Sequence, residues 1–490
     1  MKLNEILNSI EYEVLQGEDK IDIKSITCDS RRVKPNSLFI CMKGILADGH
    51  DYAKQAVDDG AVALIVEDII SEIIGNIAIV KIKDIRKKLS RVSYNFFKLG
   101  NKTFKLLGVT GAYGKTSLLD LLSAMAIKLT NSFKVIDNDI NFSQRLVGDI
   151  CRFANTPIEL GELLNDFGND NIDEVFMQIP LPSITQHYYE GLQFDIGVFT
   201  NFLNDDTYNK SHKKKINSIT KFLEKCKTLI INTDDISAQK ILSHLDGKNI
   251  IKYGIYNEAD ICAKDVVITS KGTVFTLKIY NFEREIAIKS IAVFNIYNVL
   301  ASICVYISLG ITIDQVMNQL SSIGCNEKIF QTIISDNGYS IVVDNAYSPI
   351  RFKNFLTSLR KVQLSRIITV FGCGGDRDNK KRQKMGKIAG QYSDFCVITS
   401  DNPRTENPTN IMAQIEDGIR ETSCPYVMLE DRKTAIEFAI HQAIDGDTIV
   451  IAGKGHERYQ IFENKVLYFN DFDIALEYDT RKSDVRKNTF

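Results

Sequence analysis

The 490-residue sequence predicts an α/β protein built from three units. Three observations carry that expectation. The length allows about three domains at roughly 150 residues each. Short apolar runs alternate with longer helical patterns, which implies parallel sheets. One such run, Phe104–Val109, feeds a Gly-rich turn that opens into an amphipathic stretch, Thr116–Leu129.

Composition narrows the classes. Apolar residues make up 44% and charged residues 25%, the balance of a globular chain rather than a disordered one. Lys and Arg number 60 against 62 Asp and Glu, a net charge of −2 with a pI near 6.4. A general nucleic-acid binder carries a basic excess, so no nucleic-acid partner is expected. No pair among the ten cysteines has CxxC spacing and no HExxH occurs, so neither a disulfide framework nor a structural zinc is expected. The N-terminal string MKLNEILNSIEYEV has early acidic residues and no apolar signal core, which predicts a cytoplasmic protein. Ser290 to Ile313 is uncharged and long enough to span a bilayer, but it contains Asn295 and Asn298 and has no basic flank. It reads as a buried helix, not a membrane span.

The elements follow in order. Residues 1–100 mix the runs Ser37–Cys41, Val62–Val66 and Ile77–Ile82 with turn signals at Lys34-Pro35-Asn36 and Ala47-Asp48-Gly49, a small α/β unit. Residues 101–325 hold strand candidates at Phe104–Val109, Glu174–Ile179, Phe194–Thr200 and Thr228–Asn232. Residues 326–490 hold Ser340–Val343, Arg366–Phe371, Phe395–Thr399 and Thr448–Ala452, each followed by a polar loop. In open α/β sheets ligands gather at the carboxyl ends of strands, so those loops are the candidate sites.

The first candidate is GVTGAYGKTS, Gly108 to Ser117. Its core, Thr110-Gly111-x-x-Gly114-Lys115-Thr116, lets amide N–H groups turn inward onto an anion. Lys115 reaches the phosphates, Thr116 ligates Mg²⁺, and Ser117 continues the anion-facing turn.

TGxxGKT in that context resembles the Mur ligase family, and the remaining strings resemble its MurE type, whose members add the third residue of the peptidoglycan stem peptide. The resemblance covers nearly the whole chain. Cys28-Asp29-Ser30-Arg31 and Lys43-Gly44…Asp48-Gly49-His50 resemble the uridine-nucleotide-binding domain; Asn155-Thr156-Pro157 resembles a substrate-contacting segment. FDIGVFTN (194–201) matches a central strand, and Phe294–Asn298 resembles a helix start whose asparagine, Asn295, approaches adenine. FGCGGDRD (371–378), Lys381-Arg382, SDNPRTENP (400–408) and AGKGHERYQ (452–460) are long, specific matches.

The resemblance implies three domains: a small UDP-binding α/β domain, a central P-loop ATPase domain with a parallel sheet, and a C-terminal Rossmann-like domain. It implies a monomer that uses ATP and Mg²⁺, with a UDP-sugar dipeptide and a diamino acid as substrates. ATP phosphorylates the free carboxylate of UDP-N-acetylmuramoyl-L-alanyl-D-glutamate, and the incoming amine attacks the acyl phosphate. In the family DNPR accompanies meso-diaminopimelate. Asp401, Asn402, Pro403 and Arg404 are therefore the expected amino-acid loop, with Arg404 clamping the second carboxylate bidentately and Arg382 assisting. Gly453 and Glu457 are expected at the ammonium end. Asp29, Ser30, Arg31, Asn155 and Thr156 are expected on the UDP-sugar. Thr110, Gly111, Gly114, Lys115, Thr116, Ser117, Asn295, Lys328 and Asp344 are expected on ATP.

The departures from the family cluster in the central unit. Its metal-ligating glutamate is Gln178, a weaker ligand for a hard cation. A histidine is replaced by Pro182, and an arginine by Tyr188. The carbamylated lysine falls on Thr220, with Lys221 one residue away. Tyr113 replaces the loop asparagine, Lys328 an arginine and Tyr347 a histidine; a loop at Val135–Phe142 lacks the usual glycines. Lys115, Asp205 and Lys221 are left as the expected catalytic set. Two readings follow: a diaminopimelate ligase with unusual central chemistry, or a divergent paralogue that binds the ligands with weak or no ligation or takes another acceptor. A P-loop switch or scaffold explains DNPR badly.

Overall fold

The computed structural model describes residues 1–44, 47–69, 75–137, 150–152, 156–202, 210–269, 272–323, 331–362, 365–455 and 457–487. Asp205, Asn155 and Lys328 lie outside them. Three main sheets follow one another along the chain.

The first sheet has five strands in the order Glu13–Gln16, Ala78–Lys81, Ala61–Val66, Ser37–Ile40, Ser25–Thr27. Only the first pair is antiparallel. The second sheet has ten strands. Its centre runs Cys226–Asn232, Phe194–Phe199, Lys105–Thr110, Glu174–Ile179, Phe133–Asp137, all parallel. These strands read as near-continuous apolar runs because helices cover both faces. Leu118, Leu122, Val299 and Ile303 pack on one side, and Leu160, Leu164, Ile219 and Phe222 on the other.

Two features of the second sheet differ from the sequence expectation. The edge beyond Asn249–Gly254 carries Ile261–Thr269, Gly272–Ile279 and Phe282–Ile288, and these three pair antiparallel. And Val135–Asp137, read as loop, closes the strand Phe133–Asp137; three of its five residues are buried.

The uncharged stretch folds as the helix Val293–Ser308, buried with Asn295 and Asn298 inside. The two amides are linked: Asn298 Nδ2 donates to Asn295 Oδ1 at 3.2 Å, and Asn295 Nδ2 donates to Ser290 Oγ. Among the described residues no helix is long and apolar enough to cross a membrane.

The third sheet orders Thr332–Ile334, Ser340–Asp344, Thr448–Ala452, Ile367–Phe371, Phe395–Ile398, Tyr426–Met428, parallel except for the first pair. The carboxyl ends of its inner strands therefore share one edge. A buried ion pair ties that edge together. Arg432 donates to both oxygens of Asp471, at 2.8 and 2.7 Å, and both side chains are 0% exposed. The same guanidinium donates to the Ala452 and Ser400 carbonyls, so the carboxyl ends of two strands that flank Ile367–Phe371 are held by one cation.

Candidate active site

The phosphate loop sits where strand Lys105–Thr110 meets helix Lys115–Leu129. Gly111 has φ +141°, and a Cβ there would lie 2.2 Å from Thr200 Oγ1, so only glycine fits. The FTN end of FDIGVFTN is the loop's cradle. Asn201 Oδ1 accepts from Tyr113 N–H at 3.1 Å, and its Nδ2 donates to Tyr113 O at 2.9 Å. Thr200 Oγ1 donates to the same carbonyl, and Ala112 N–H to Asn201 O. Sequence reasoning saw the string but not this use. Lys115 Nζ folds back onto the Gly111 and Ala112 carbonyls, at 2.9 and 3.2 Å.

Thr110, expected on ATP, is buried, and its hydroxyl donates across the sheet to Ile179 O. It fastens the loop's root instead. Thr116 Oγ1 lies 3.4 Å from Asp137 Oδ2 and accepts from Gln178 Nε2 at 3.2 Å. Asp137 went unnoticed in the sequence because its strand end was read as loop.

Two adjoining cavities flank this loop. One, of ≈ 250 Å³, is lined by Lys115, Thr116, Gln178, Asn295, Asp344 and Arg351, so the second and third sheets both contribute. The other, of ≈ 190 Å³, is more apolar, with Tyr253, Phe294, Tyr297 and Phe355 beside Ser117 and Asn298. Asp344 Oδ1 is 3.5 Å from Arg351. Tyr297 donates to Asp234 at 2.9 Å; burial, then that carboxylate, hold its phenol protonated far above the usual range.

Lys221 does not join this cluster. It is exposed and lines a separate groove with His187, Glu190 and Lys225, none of which borders the phosphate loop. Thr220 keeps the buried place and donates to Ile216 O. One residue along a helix turns the side chain by about 100°, so a one-residue shift cannot substitute Lys221 for its neighbour.

The DNPR loop follows strand Phe395–Ile398 at the shared edge of the third sheet. It packs on the glycines of FGCGGDRD: a Cβ on Gly375 would lie 1.9 Å from Pro403 O. Asp401, Asn402 and Pro403 are buried, and Arg404 is half-buried. Asn402 is the junction with the last strand's loop. Its Oδ1 accepts from buried Lys454 Nζ and from Ile461 N–H, and its Nδ2 donates to Glu457 at 2.9 Å. Gly453 faces Asp401. Arg404 donates Nη1 to Gly375 O at 2.6 Å.

Arg382 is not placed as a second clamp. It is 1% exposed and donates two parallel bonds to Glu406, both 2.8 Å, plus one to Gln414. That guanidinium holds the Glu406 carboxyl below the usual range, and Glu406 in turn accepts from Asp376 N–H. Arg382 thus ties the helix Lys380–Tyr392 to the loop carrying Arg404.

In the first unit Asp29 caps the short turn Ser30–Arg32 and forms a two-bond pair with Arg31, which is 84% exposed. Arg32 reaches Glu159 at 3.4 Å. The face carrying Asp29–Arg32 therefore meets the helix Pro157–Asn169, whose first N–H groups Thr156 caps by accepting from Glu159 N–H.

Three family descriptions match successive stretches. Residues 22–93 match the Mur ligase family catalytic domain, 109–306 the Mur ligase middle domain, and 330–455 the Mur ligase glutamate ligase domain. A UDP-N-acetylmuramoyl-L-alanyl-D-glutamate--2,6-diaminopimelate ligase from Caldanaerobacter subterraneus subsp. tengcongensis is 35% identical over 483 residues, 97% of this chain and 98% of that protein. The chain belongs to the Mur ligase family. Among solved Mur ligases, a UDP-N-acetylmuramoyl-L-alanyl-D-glutamate--2,6-diaminopimelate ligase superposes with TM-score 0.69 at 23% identity, covering 99% of each chain. The Thermotoga maritima MurF ligase, solved with ADP, superposes with TM-score 0.60 at 17% identity, covering 94% of this chain and 98% of its own. The three-domain Mur ligase architecture is thus the fold of this chain.

Proposed function

We propose that this Mur ligase joins meso-diaminopimelate to UDP-N-acetylmuramoyl-L-alanyl-D-glutamate, driven by ATP, in peptidoglycan precursor synthesis. The observation that carries this is the similarity to diaminopimelate ligases along 97% of the chain, which takes in the altered central unit. The paralogue reading has no comparable support.

ATP lies along the loop Gly111–Ser117 between the second and third sheets, with its base in the aromatic cavity near Asn295 and Asn298 and its ribose toward Asp344. Lys115 leaves its two carbonyls to meet the phosphates. Mg²⁺ would be held in the oxygen-rich surroundings of Thr116 and Gln178, where it would supply charge neutralisation for the phosphates. Thr116 offers its hydroxyl and Gln178 its amide oxygen. The dipeptide's UDP end lies on the face of Asp29, Ser30 and Arg31, against Thr156.

The γ-phosphoryl passes to the free carboxylate of the dipeptide, giving an acyl phosphate and ADP. The amine of diaminopimelate attacks the acyl carbon and releases phosphate. Positioning and charge do most of this work, so no protein nucleophile is required. Arg404 meets the far carboxylate with the donors it does not give to Gly375. Glu457, positioned by Asn402, faces the ammonium beside that carboxylate, next to Gly453. Arg382 acts through Glu406 to keep Arg404 in place. ATP and UDP-sugars are cytoplasmic metabolites, and the reaction belongs in that compartment.

The test is phosphate release with ATP, Mg²⁺ and the UDP-sugar dipeptide. Diaminopimelate is expected to drive release and lysine to do so much less. No release with either amino acid overturns the ligase reading.

A further inference from the structure

The metal-ligating glutamate of the family is Gln178 here, yet the nucleotide's cation still needs a fixed negative charge. Mg²⁺ at nucleotide sites is usually bound through one or two carboxylates together with phosphate oxygens and waters. The sheet supplies one next door. Strands Phe133–Asp137 and Glu174–Ile179 run parallel, with Val135 opposite Phe176 and Ile136 opposite Met177. The next step along that register sets Asp137 beside Gln178. Registered partners on parallel strands point to the same face, and here both reach Thr116. Asp137 is 1% exposed and sits at the carboxyl end of its strand, where ligands collect.

We propose that Asp137 is the carboxylate of the Mg²⁺ site, moved one strand sideways from the place the family uses. The hydrogen bonds give a further reason. Thr116 Oγ1 lies 3.4 Å from Asp137 Oδ2, so the two oxygens sit close enough to share one small cation. Gln178 donates to the same hydroxyl at 3.2 Å. The three side chains form one unit: an anion to hold the cation, a hydroxyl beside that anion, and an amide that completes the donor set without adding charge. Glutamate at both positions of a site this enclosed would place two like charges against one buried hydroxyl. The loss of charge at 178 and its presence at 137 are one exchange. The inference rests on the nucleotide site proposed above.

The test uses full-length protein and Mn²⁺, whose free form is read by electron paramagnetic resonance, in the presence of ADP. Asp137→Asn is expected to weaken Mn²⁺ binding to the ADP complex by about 10- to 100-fold. ADP binding in EDTA is expected to stay as in the wild type, because Lys115 and the loop amides are untouched. The exchange variant, Asp137→Asn with Gln178→Glu, restores the net charge and is expected to recover most of the lost Mn²⁺ affinity. It also keeps the test decisive if Asp137→Asn alone does not fold. Unchanged Mn²⁺ affinity in Asp137→Asn overturns the assignment, as does a folded exchange variant that binds Mn²⁺ no better than the single one. A wild type that takes no ADP with or without Mn²⁺ overturns the nucleotide site and this inference with it.

Discussion

Replacing Asn201 by alanine isolates the energy that shapes the phosphate loop. The side chain makes two bonds to Tyr113, accepting from its N–H at 3.1 Å and donating to its carbonyl at 2.9 Å. At ~0.5–1.5 kcal/mol each, their loss removes about 1–3 kcal/mol. Two supports survive the substitution: Thr200 Oγ1 still donates to Tyr113 O, and Ala112 N–H still donates to the Asn201 carbonyl. The effect therefore belongs in the lower half of that range, about 1–2 kcal/mol, or roughly 5- to 30-fold. It falls on the fraction of molecules whose loop is ready for phosphate, and so on apparent affinity. Calorimetric titration with Mg-ADP reads it directly. Asn201→Asp is expected to do worse, because a carboxylate still accepts from Tyr113 N–H but opposes the Tyr113 carbonyl. Asn201→Ala with wild-type ADP affinity, or with a large fall in melting temperature and no fall in affinity, would refute the cradle.

Lys115→Ala removes the cation of the loop and should abolish measurable Mg-ATP binding while circular dichroism stays native. Arg404→Lys replaces a planar fork by a point charge; KM for diaminopimelate should rise about tenfold or more, with little change in the KM for ATP. Asp471→Ala strands the Arg432 guanidinium in a fully buried place, and the melting free energy should fall by about 3–5 kcal/mol in denaturant titration. A fall below that range would mean that the edge of the third sheet is held chiefly by its backbone ladder.

What the sequence revealed depended on burial. Glu174–Ile179 and Thr448–Ala452 stand in the structure at the residues expected, since strands covered on both faces spell near-continuous apolar runs. Gly272–Ile279 alternates buried and exposed positions only in part, a weaker signal that leaves a sheet-edge strand hard to read from sequence. Residues lining the cleft beside the phosphate loop were legible where a motif names them, as with Lys115 and Thr116. A side chain's surroundings were hidden where its partner is distant in sequence. Arg382 looks like a free cation until Glu406, 24 residues on, is seen to occupy it. Lys221 looked like a substitute for a lost lysine because spacing along the chain hides the rotation of a helix. Asp137 was invisible for a third reason: its importance comes from the strand beside it, and no single-strand pattern contains that neighbour.

Asp344 and Arg404 rise from the same edge of one sheet, yet one borders the cleft of the phosphate loop and the other the loop proposed for the amino acid. Any swing of that sheet toward Lys115 moves both at once. If both proposed sites are filled, the affinities for nucleotide and for amino acid are expected to be coupled, and linkage requires the coupling to be equal in both directions. Saturating the protein with nucleotide should sharpen its grip on the amino acid by the same factor as the reverse, so that the two ligands report on a single equilibrium of closure.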